Sequence, residues 1–131
     1  MPDPIHTRLS RRERQIVDVL YRYGEAGAGD VAAHLPDRPN YHAVRVTLGI
    51  LVKKGFVRHR KEGPRYVYSP VIPLERAKRS AISHVLSTFF RGSPSAAIVT
   101  LLDVSRGALT ERDLADIGRL IEKAKSRGGQ R

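Results

Sequence analysis

The residues best suited to chemistry lie between Asn40 and Pro70, and that chemistry is the recognition of a polyanion. Between Arg38 and Arg65 the sequence has eight lysines and arginines and one acid, Glu62, which is a net charge of +7. The whole chain carries a formal net charge of +11. Cationic side chains that neutralise phosphates release condensed counterions, so this charge favours a polyanionic partner. Charge alone does not distinguish a nucleic acid from a membrane surface or a ribosome, and the elements that carry it have to decide.

A predicted helix opens this cationic segment. Side chains suited to a core repeat at helical spacing and predict its buried face: Val44, Thr47, Leu48, Leu51 and Val52. Asn40 is a favourable N-cap, and Gly55 follows two lysines at a position where helices commonly end. The opposite face mixes hydrogen-bonding, cationic and small side chains, which suits contact with another surface: Tyr41, His42, Arg45, Val46, Gly49 and Lys53.

A basic two-stranded hairpin is predicted to follow the helix. Alternation with period two extends from Phe56 to Arg60 and resumes from Arg65 to Tyr68. Residues 61–64, with the sequence KEGP, supply the turn. Tyr66 and Tyr68 are predicted to pack within the hairpin rather than to stack on bases.

Two helices before this segment complete a recognisable order. Ser10 and Glu13 form a predicted capping box at the start of a helix that ends near Gly24. Residues 25–29 are predicted to be a loop, and a short helix follows over residues 30–35. Helix, short helix, longer helix and hairpin is the order of a winged helix-turn-helix.

The composition changes after Pro70, which divides the chain into two predicted domains. Residues 1–70, with a mobile arm over residues 1–9, form a winged-helix DNA-binding domain, and residues 71–131 form a helical dimerisation domain. The predicted fold class is therefore mainly α with a small β-hairpin wing.

The second domain is predicted to contain three helices, over residues 74–90, over residues 95–103 and from Thr110, before a frayed basic end. Their apolar side chains are too many for so few residues to cover, which predicts a homodimer. The predicted interface comprises Ile82, Val85, Phe89, Phe90, Leu101, Leu102, Leu114, Ile117 and Ile121. An alternative use of Phe89 and Phe90 is to line a small-molecule pocket.

The sequence offers little support for catalysis or a metal site. It contains no cysteine, which excludes thiolate ligands, disulfides and a cysteine nucleophile. The five histidines lack the short spacing of zinc sites, and no GxSxG, HExxH or glycine-rich phosphate loop occurs. We therefore expect no enzyme activity, no metal and no cofactor. Without a long apolar run or a signal peptide, we expect a cytoplasmic protein with no lipid partner.

These segments give the chain a family resemblance. It resembles the BlaI/MecI family of penicillinase and methicillin-resistance repressors in LSRRERQIVDVLY, in AVRVTLGILVKKGFVRHRKEGPRYVYSPV, and in FFRGSPSAAIVTLL followed by LTERDLADI. The resemblance implies an N-terminal winged-helix domain, a C-terminal dimerisation domain and repression by a homodimer at an inverted-repeat operator. It also implies a membrane-bound sensor peptidase as a partner, because proteolysis commonly releases these repressors from DNA.

Two features depart from that family. We call residues 71–131 the tail. Well-known members are cleaved at an Asn-Phe pair in the second helix of the tail, where this chain has IVTLL at residues 98–102. A cut in this tail would therefore need another specificity or another bond. The copper-responsive branch of the family carries a cysteine cluster, and the absence of cysteine here excludes a switch of that kind.

Docking of a winged helix assigns candidate roles to the cationic segment. The recognition helix enters the major groove with its N-terminal end, so the predicted base contacts are Tyr41, His42, Arg45 and Val46. The predicted DNA-backbone contacts are Asn40, Lys53, Lys54, Arg58, Arg60, Lys61 and Arg65. Arg45 is the leading candidate for bidentate contact with guanine, and contact with a phosphate is its alternative role.

The sequence thus predicts a sequence-specific transcriptional repressor that acts as a homodimer on a double-stranded operator. Its relief is expected from proteolysis or another signal acting on the C-terminal domain. The alternative is a non-specific architectural protein that binds nucleic acid through the same cations, and preference for a dyad over random DNA separates the two. A second rival is a protein-interaction module, for which DNA affinity would depend little on salt.

Overall fold

The computed structural model describes residues 9–128 and is mainly helical, with one antiparallel hairpin, as predicted. The elements in chain order are α1 (Arg11–Tyr23), α2 (Ala28–Ala33), α3 (Tyr41–Lys54), β1 (Val57–Glu62), β2 (Arg65–Pro70), α4 (Leu74–Phe89), α5 (Pro94–Val104) and α6 (Glu111–Gly128). The chain divides into two compact units between Val85 and Leu86, inside α4.

The ends of α1 and α3 are set by the residues that the sequence indicated. The Ser10 hydroxyl accepts the Glu13 N–H at 3.2 Å, and the Glu13 carboxylate accepts the Ser10 N–H at 2.7 Å, which completes a capping box. The Asn40 side chain accepts the Ala43 N–H at 2.8 Å at the start of α3. Gly55 ends α3 in the left-handed conformation with φ 86°, which glycine adopts without steric cost.

The first unit is built around one apolar core. Ile16, Leu20, Val31, Leu48 and Leu51 have no exposed surface, so α1, α2 and α3 all contribute to it. The hairpin closes the core with Phe56, Val57, Val67 and Tyr68, which are at most 5% exposed. α3 is therefore fixed along its whole length by packing on the face opposite to the polar one.

The hairpin is longer and its turn tighter than predicted. Lys61 and Glu62 belong to β1, where Glu62 pairs with Arg65, so the turn consists of Gly63 and Pro64 alone. Gly63 has φ 62°, a conformation in which a side chain would be strained.

Residues 25–29 do more than connect two helices. Ala26 forms an isolated antiparallel bridge with Tyr68: its N–H donates to the Tyr68 carbonyl at 3.0 Å, and the Tyr68 N–H donates back at 2.9 Å. The predicted loop is thus partly strand-like, and it attaches the wing, β1 and β2, to the helical part of the unit.

α2 lies two residues earlier than the predicted span of residues 30–35. Gly27 is its extended N-cap, and the Gly27 carbonyl accepts the Val31 N–H at 3.0 Å. Leu35 lies beyond the helix but is still buried, at 3% exposed. The predicted span extended the helix to Leu35, whereas Leu35 reaches the core from the turn that follows α2.

The three C-terminal helices occur nearly where the sequence placed them. Ser93 caps α5 with Pro94 in its first turn. At the start of α6, the Thr110 N–H donates to the Asp113 carboxylate and the Asp113 N–H donates to the Thr110 hydroxyl, both at 3.0 Å. α6 continues to Gly128, so residues 126–128 are helical rather than frayed. Of the predicted arm at residues 1–9, only Leu9 lies within the described residues, and it is buried in the core.

Candidate nucleic-acid interface

The polar face of α3 is exposed, as the sequence predicted. Tyr41, His42, Arg45, Val46 and Lys53 all lie on the accessible side of the helix. The helix contains no acidic residue, and the buried side chains of its other face hold it in place. This face presents hydrogen-bond donors and positively charged side chains. No carboxylate on the same helix competes with an anionic ligand for them.

A charged pair anchors the C-terminal end of α3 to the start of α1. The Lys54 ammonium lies 2.9 Å from each carboxylate oxygen of Glu13, which is only 6% exposed. Burial raises the pKa of Glu13, but hydrogen bonds from the Ser10 backbone and from Lys54 outweigh it, so the net pKa lies below the ordinary value. Glu13 is therefore a buried carboxylate that caps one helix and holds another.

Arg45 points toward the wing. Burial raises the pKa of the Tyr68 phenol, and the nearby positive charge of Arg45 acts against that rise. Between α3 and the wing lies an open cleft of about 330 Å³, lined among others by Tyr41, Arg45, Arg65 and Tyr66. We call it the α3–wing cleft. Its guanidinium and phenol groups suit a phosphate or the edge of a base.

The wing carries an aromatic cluster on one side. The His59 and Tyr66 rings stack with centroids 4.9 Å apart, and the Tyr68 ring lies 5.9 Å from His59. The two tyrosines thus pack within the hairpin region, and Tyr66 is also 38% exposed. The stacking stiffens the strand pair that presents the wing cations.

Three of the predicted phosphate-binding cations have acidic partners. Besides Lys54, Arg60 forms a two-bond pair with Glu25 at 2.6 and 3.0 Å and also contacts Glu62. These bonds raise the pKa of Arg60, so it stays cationic. Arg65 lies 3.7 Å from Asp30. The sequence showed neither the Glu25 nor the Glu13 partner, since both lie far from the cation along the chain.

The other predicted phosphate-binding cations lie at the surface without an acidic partner among residues 9–128. Lys53, Arg58 and Lys61 are exposed and form no ion pair with any residue in the 9–128 range. Lys53 lies on α3, and Arg58 and Lys61 lie on β1. The structure therefore separates the predicted backbone contacts into cations engaged within the fold and cations directed to solvent.

The predicted dimer residues are collected on the C-terminal helices. No residue of α4, α5 or α6 is buried. Phe90 and Ile117 are half-buried, and the other predicted residues are exposed, at 39–73%: Ile82, Val85, Phe89, Leu101, Leu102, Leu114 and Ile121. A single copy of the chain leaves these apolar surfaces uncovered.

Within residues 9–128, no group of three His, Asp or Glu side chains is arranged to hold a metal ion. No described helix is by itself long and apolar enough to span a membrane, and α4 and α5 reach that length and composition only as a pair bent by 100°.

The sequence is similar to those of known proteins. The profile of a family described as Penicillinase repressor matches residues 9–123. A penicillinase repressor of Bacillus licheniformis is 21% identical over 122 residues, which are 92% of this chain and 94% of that protein.

Two solved structures are also similar. The solution structure of the DNA-binding domain of the repressor BlaI is 26% identical, with a TM-score of 0.46 over 51% of this chain and 84% of that one. The crystal structure of a mutant of MarR from E. coli is 10% identical, with a TM-score of 0.50 over 92% of this chain and 81% of that one. The likeness to MarR concerns the fold alone.

Proposed function

The chain belongs to the penicillinase repressor family and is a DNA-binding transcriptional repressor; on this premise we propose that it acts as a homodimer at an inverted-repeat operator. The observation that carries the proposal is the exposed, acid-free face of α3 beside a cationic wing. A helix of this kind fits the major groove, where side chains reach base edges.

The two parts of the chain have different proposed roles. Residues up to Pro70 bind DNA, and the helices from residue 71 onward dimerise. At the N-terminal end of α3, Tyr41, His42, Arg45 and Val46 approach base edges. Because Arg45 lines the α3–wing cleft beside Tyr68, a purine next to this cleft is its proposed partner, with a phosphate there as the alternative.

Phosphate contacts are proposed for the side chains around that helix. Asn40 and Lys53 at the two ends of the helix, and Arg58, Lys61 and Arg65 on the wing, would position the protein without reading sequence. Arg65 is included because its 3.7 Å contact with Asp30 is longer than a hydrogen bond. Lys54 and Arg60 are proposed as secondary contacts. Their carboxylate partners already hold them in place, so their first role is to orient α3 and the wing.

The homodimer is supported by the exposed apolar helices. Side chains such as Phe89, at 73% exposed, and Leu101, at 59% exposed, would become buried against a second copy. Two recognition helices related by the dimer axis would then bind half-sites about one helical turn, or a small multiple of it, apart. A dimer that binds both half-sites at once has a much higher affinity for the operator than one copy has for a single half-site.

Relief of repression is proposed to act through the same helices. A cut in the tail, or another signal that separates the two copies, would convert one two-site interaction into two weak ones. A membrane-bound sensor peptidase is the proposed source of such a cut, and the cytoplasm is the proposed place of action. Since residues 98–102 lack an Asn-Phe pair, the bond would differ from that of well-known family members.

Recovery of bound DNA tests the function directly. The purified protein is incubated with genomic fragments at two salt concentrations, and the retained DNA is sequenced. We expect an inverted repeat that persists at the higher salt and that the protein prefers over random DNA by about 10³-fold or more. Retention of random fragments, lost as salt rises, would instead indicate an architectural protein that binds by charge alone.

A further inference from the structure

Two large apolar side chains lie on the exposed face of α3, away from the core. Val46 is 50% exposed and Ile50 is 44% exposed. They are four residues apart, so they lie one above the other on the helix surface. Ala43, three residues before Val46, is also exposed and extends the same side. We call these three residues the apolar strip.

The apolar strip and Arg45 occupy opposite sides of the exposed face. Arg45 lines the α3–wing cleft together with Tyr66 and Tyr68 of the wing. Ile50 follows Arg45 by five residues, which places it about 140° around the helix. The strip therefore faces away from the wing, and His42 and Lys53 lie between the two sides.

The surroundings of the strip indicate what covers it. Single exposed apolar residues are ordinary on protein surfaces, and those of the tail are accounted for by the proposed dimer. The strip is different, because it lies on a helix with no acid and next to Lys53. Such a surface favours a polyanion over an apolar protein partner, and the apolar group that duplex DNA presents in its major groove is the thymine methyl.

We infer that Val46 and Ile50 contact thymine methyl groups in each half-site of the operator, an inference that rests on the proposed function. Both side chains are branched at Cβ and have few rotamers to lose on binding. Arg45 and its cleft would then recognise one part of the half-site by hydrogen bonds and charge. The strip would recognise the neighbouring part by shape and apolar contact.

Replacement of thymine by uracil tests this inference, since uracil keeps the pairing edge and O4 and lacks only the methyl group. The preferred inverted repeat is first recovered with the full-length protein. Each thymine of the half-site is then replaced by uracil, symmetrically in both half-sites, and affinity is measured by fluorescence anisotropy. Loss of one buried methyl weakens binding about fourfold, so we expect about a tenfold to twentyfold loss for the symmetric pair at the contacted position.

Alanine variants of the apolar strip test whether these side chains cause the loss of affinity on uracil substitution. Val46→Ala and Ile50→Ala are expected to bind the thymine operator more weakly and to lose sensitivity to uracil, each at its own position. Lys53→Ala, a neighbour on the same face, is expected to weaken both duplexes equally and keep the sensitivity. Val46 and Ile50 are exposed, so alanine at either position is expected to leave the fold intact, and circular dichroism checks it.

The outcomes separate this inference from the proposed function. A preferred repeat whose half-sites lack thymine, or whose affinity is unchanged by uracil at every position, overturns the inference alone. The inference is also overturned if both alanine variants keep the full uracil effect. If no preferred sequence is recovered at all, the proposed function fails and the inference fails with it.

Discussion

Leu48 in α3 and Leu101 in α5 are both leucines on helices, yet Leu48 is fully buried and Leu101 is 59% exposed. The same contrast holds for the two parts of the chain. The winged-helix part buries a core of apolar residues within one copy, whereas none of the residues of α4, α5 and α6 is buried. The DNA-binding part is thus folded within one copy, and the tail is proposed to be completed by a second copy.

This difference has a functional meaning under the proposed mechanism. If the tail depends on a partner and the winged helix does not, a signal can separate the two copies without unfolding the part that binds DNA. Affinity for the operator would fall because the half-sites become uncoupled. Regulation would then act on assembly and leave the recognition surface intact.

The largest expected effect comes from a charge placed in the tail. Leu101→Asp would bury a carboxylate in the proposed dimer interface, which is costly without a partner cation. We expect a monomer by analytical ultracentrifugation and an operator affinity lower by about 10²- to 10⁴-fold. The conservative Leu101→Met should remain dimeric. A Leu101→Asp protein that stays dimeric would show that this part of α5 lies outside the interface.

The next largest effect is expected from a cavity in the core of the first unit, which tests whether the winged-helix part is held together by its own packing. Leu48→Ala removes a fully buried side chain and is expected to lower the free energy of unfolding by about 2–5 kcal/mol. Val46→Ala, on the exposed side of the same helix, should change it by no more than about 0.5 kcal/mol. Urea denaturation followed by circular dichroism measures both. Equal losses from the two variants would contradict the described packing of α3.

The pair between Glu13 and Lys54 is expected to contribute a smaller amount. Glu13→Gln removes a buried charge from the α1 cap and from Lys54, whose side chain is 37% exposed, so we expect a loss of about 1–2 kcal/mol at neutral pH. Glu75→Gln, which affects an exposed and solvent-screened pair with Lys78, should lower the free energy of unfolding less than Glu13→Gln does.

The effect of Glu13 should also depend on pH. Because the folded protein lowers the pKa of Glu13, its contribution is complete above the unfolded pKa of about 4.3 and is lost as pH falls through the folded pKa. The difference between the wild type and Glu13→Gln in urea denaturation should therefore shrink below about pH 4. A difference that stays constant to about pH 3 would show that the carboxylate charge is not what stabilises the fold.

Local signals in the sequence were enough to predict most of the elements. Asn40 and Gly55 bounded α3 correctly, and the capping box at Ser10 fixed the start of α1. These features act within a few residues, so one stretch of sequence contains both the residue and its partner. The same is true of the helical spacing that identified the buried face of α3.

The pairings that hold the site together could not be predicted in this way. Lys54 and Glu13 are 41 residues apart, and Arg60 and Glu25 are 35 residues apart. Neither pair produces a periodic pattern, because an acid and a base on separate elements meet only once the fold is formed. For that reason the sequence placed Lys54 and Arg60 among the phosphate contacts without showing that each already has a carboxylate partner.

The smallest expected effect compares two glycines inside helices. Gly49 lies on the exposed face of α3 and Gly118 lies between Leu114 and Ile121 on the apolar side of α6, and an added Cβ at either glycine meets no atom within 4 Å in one copy. At Gly49 the gain in helix propensity is therefore expected to raise the free energy of unfolding by about 0.5–1 kcal/mol in Gly49→Ala.

At Gly118 the same substitution should behave differently if a second copy covers α6. The added methyl group would enter a packed interface, where extra volume is destabilising, and would offset the gain in helix propensity. We expect Gly118→Ala to show no gain in urea denaturation at high protein concentration and a weaker dimer on dilution. An equal gain at both glycines, independent of concentration, would mean that α6 is as exposed in solution as in the single chain, and the contrast between the two parts would then rest on α4 and α5 alone.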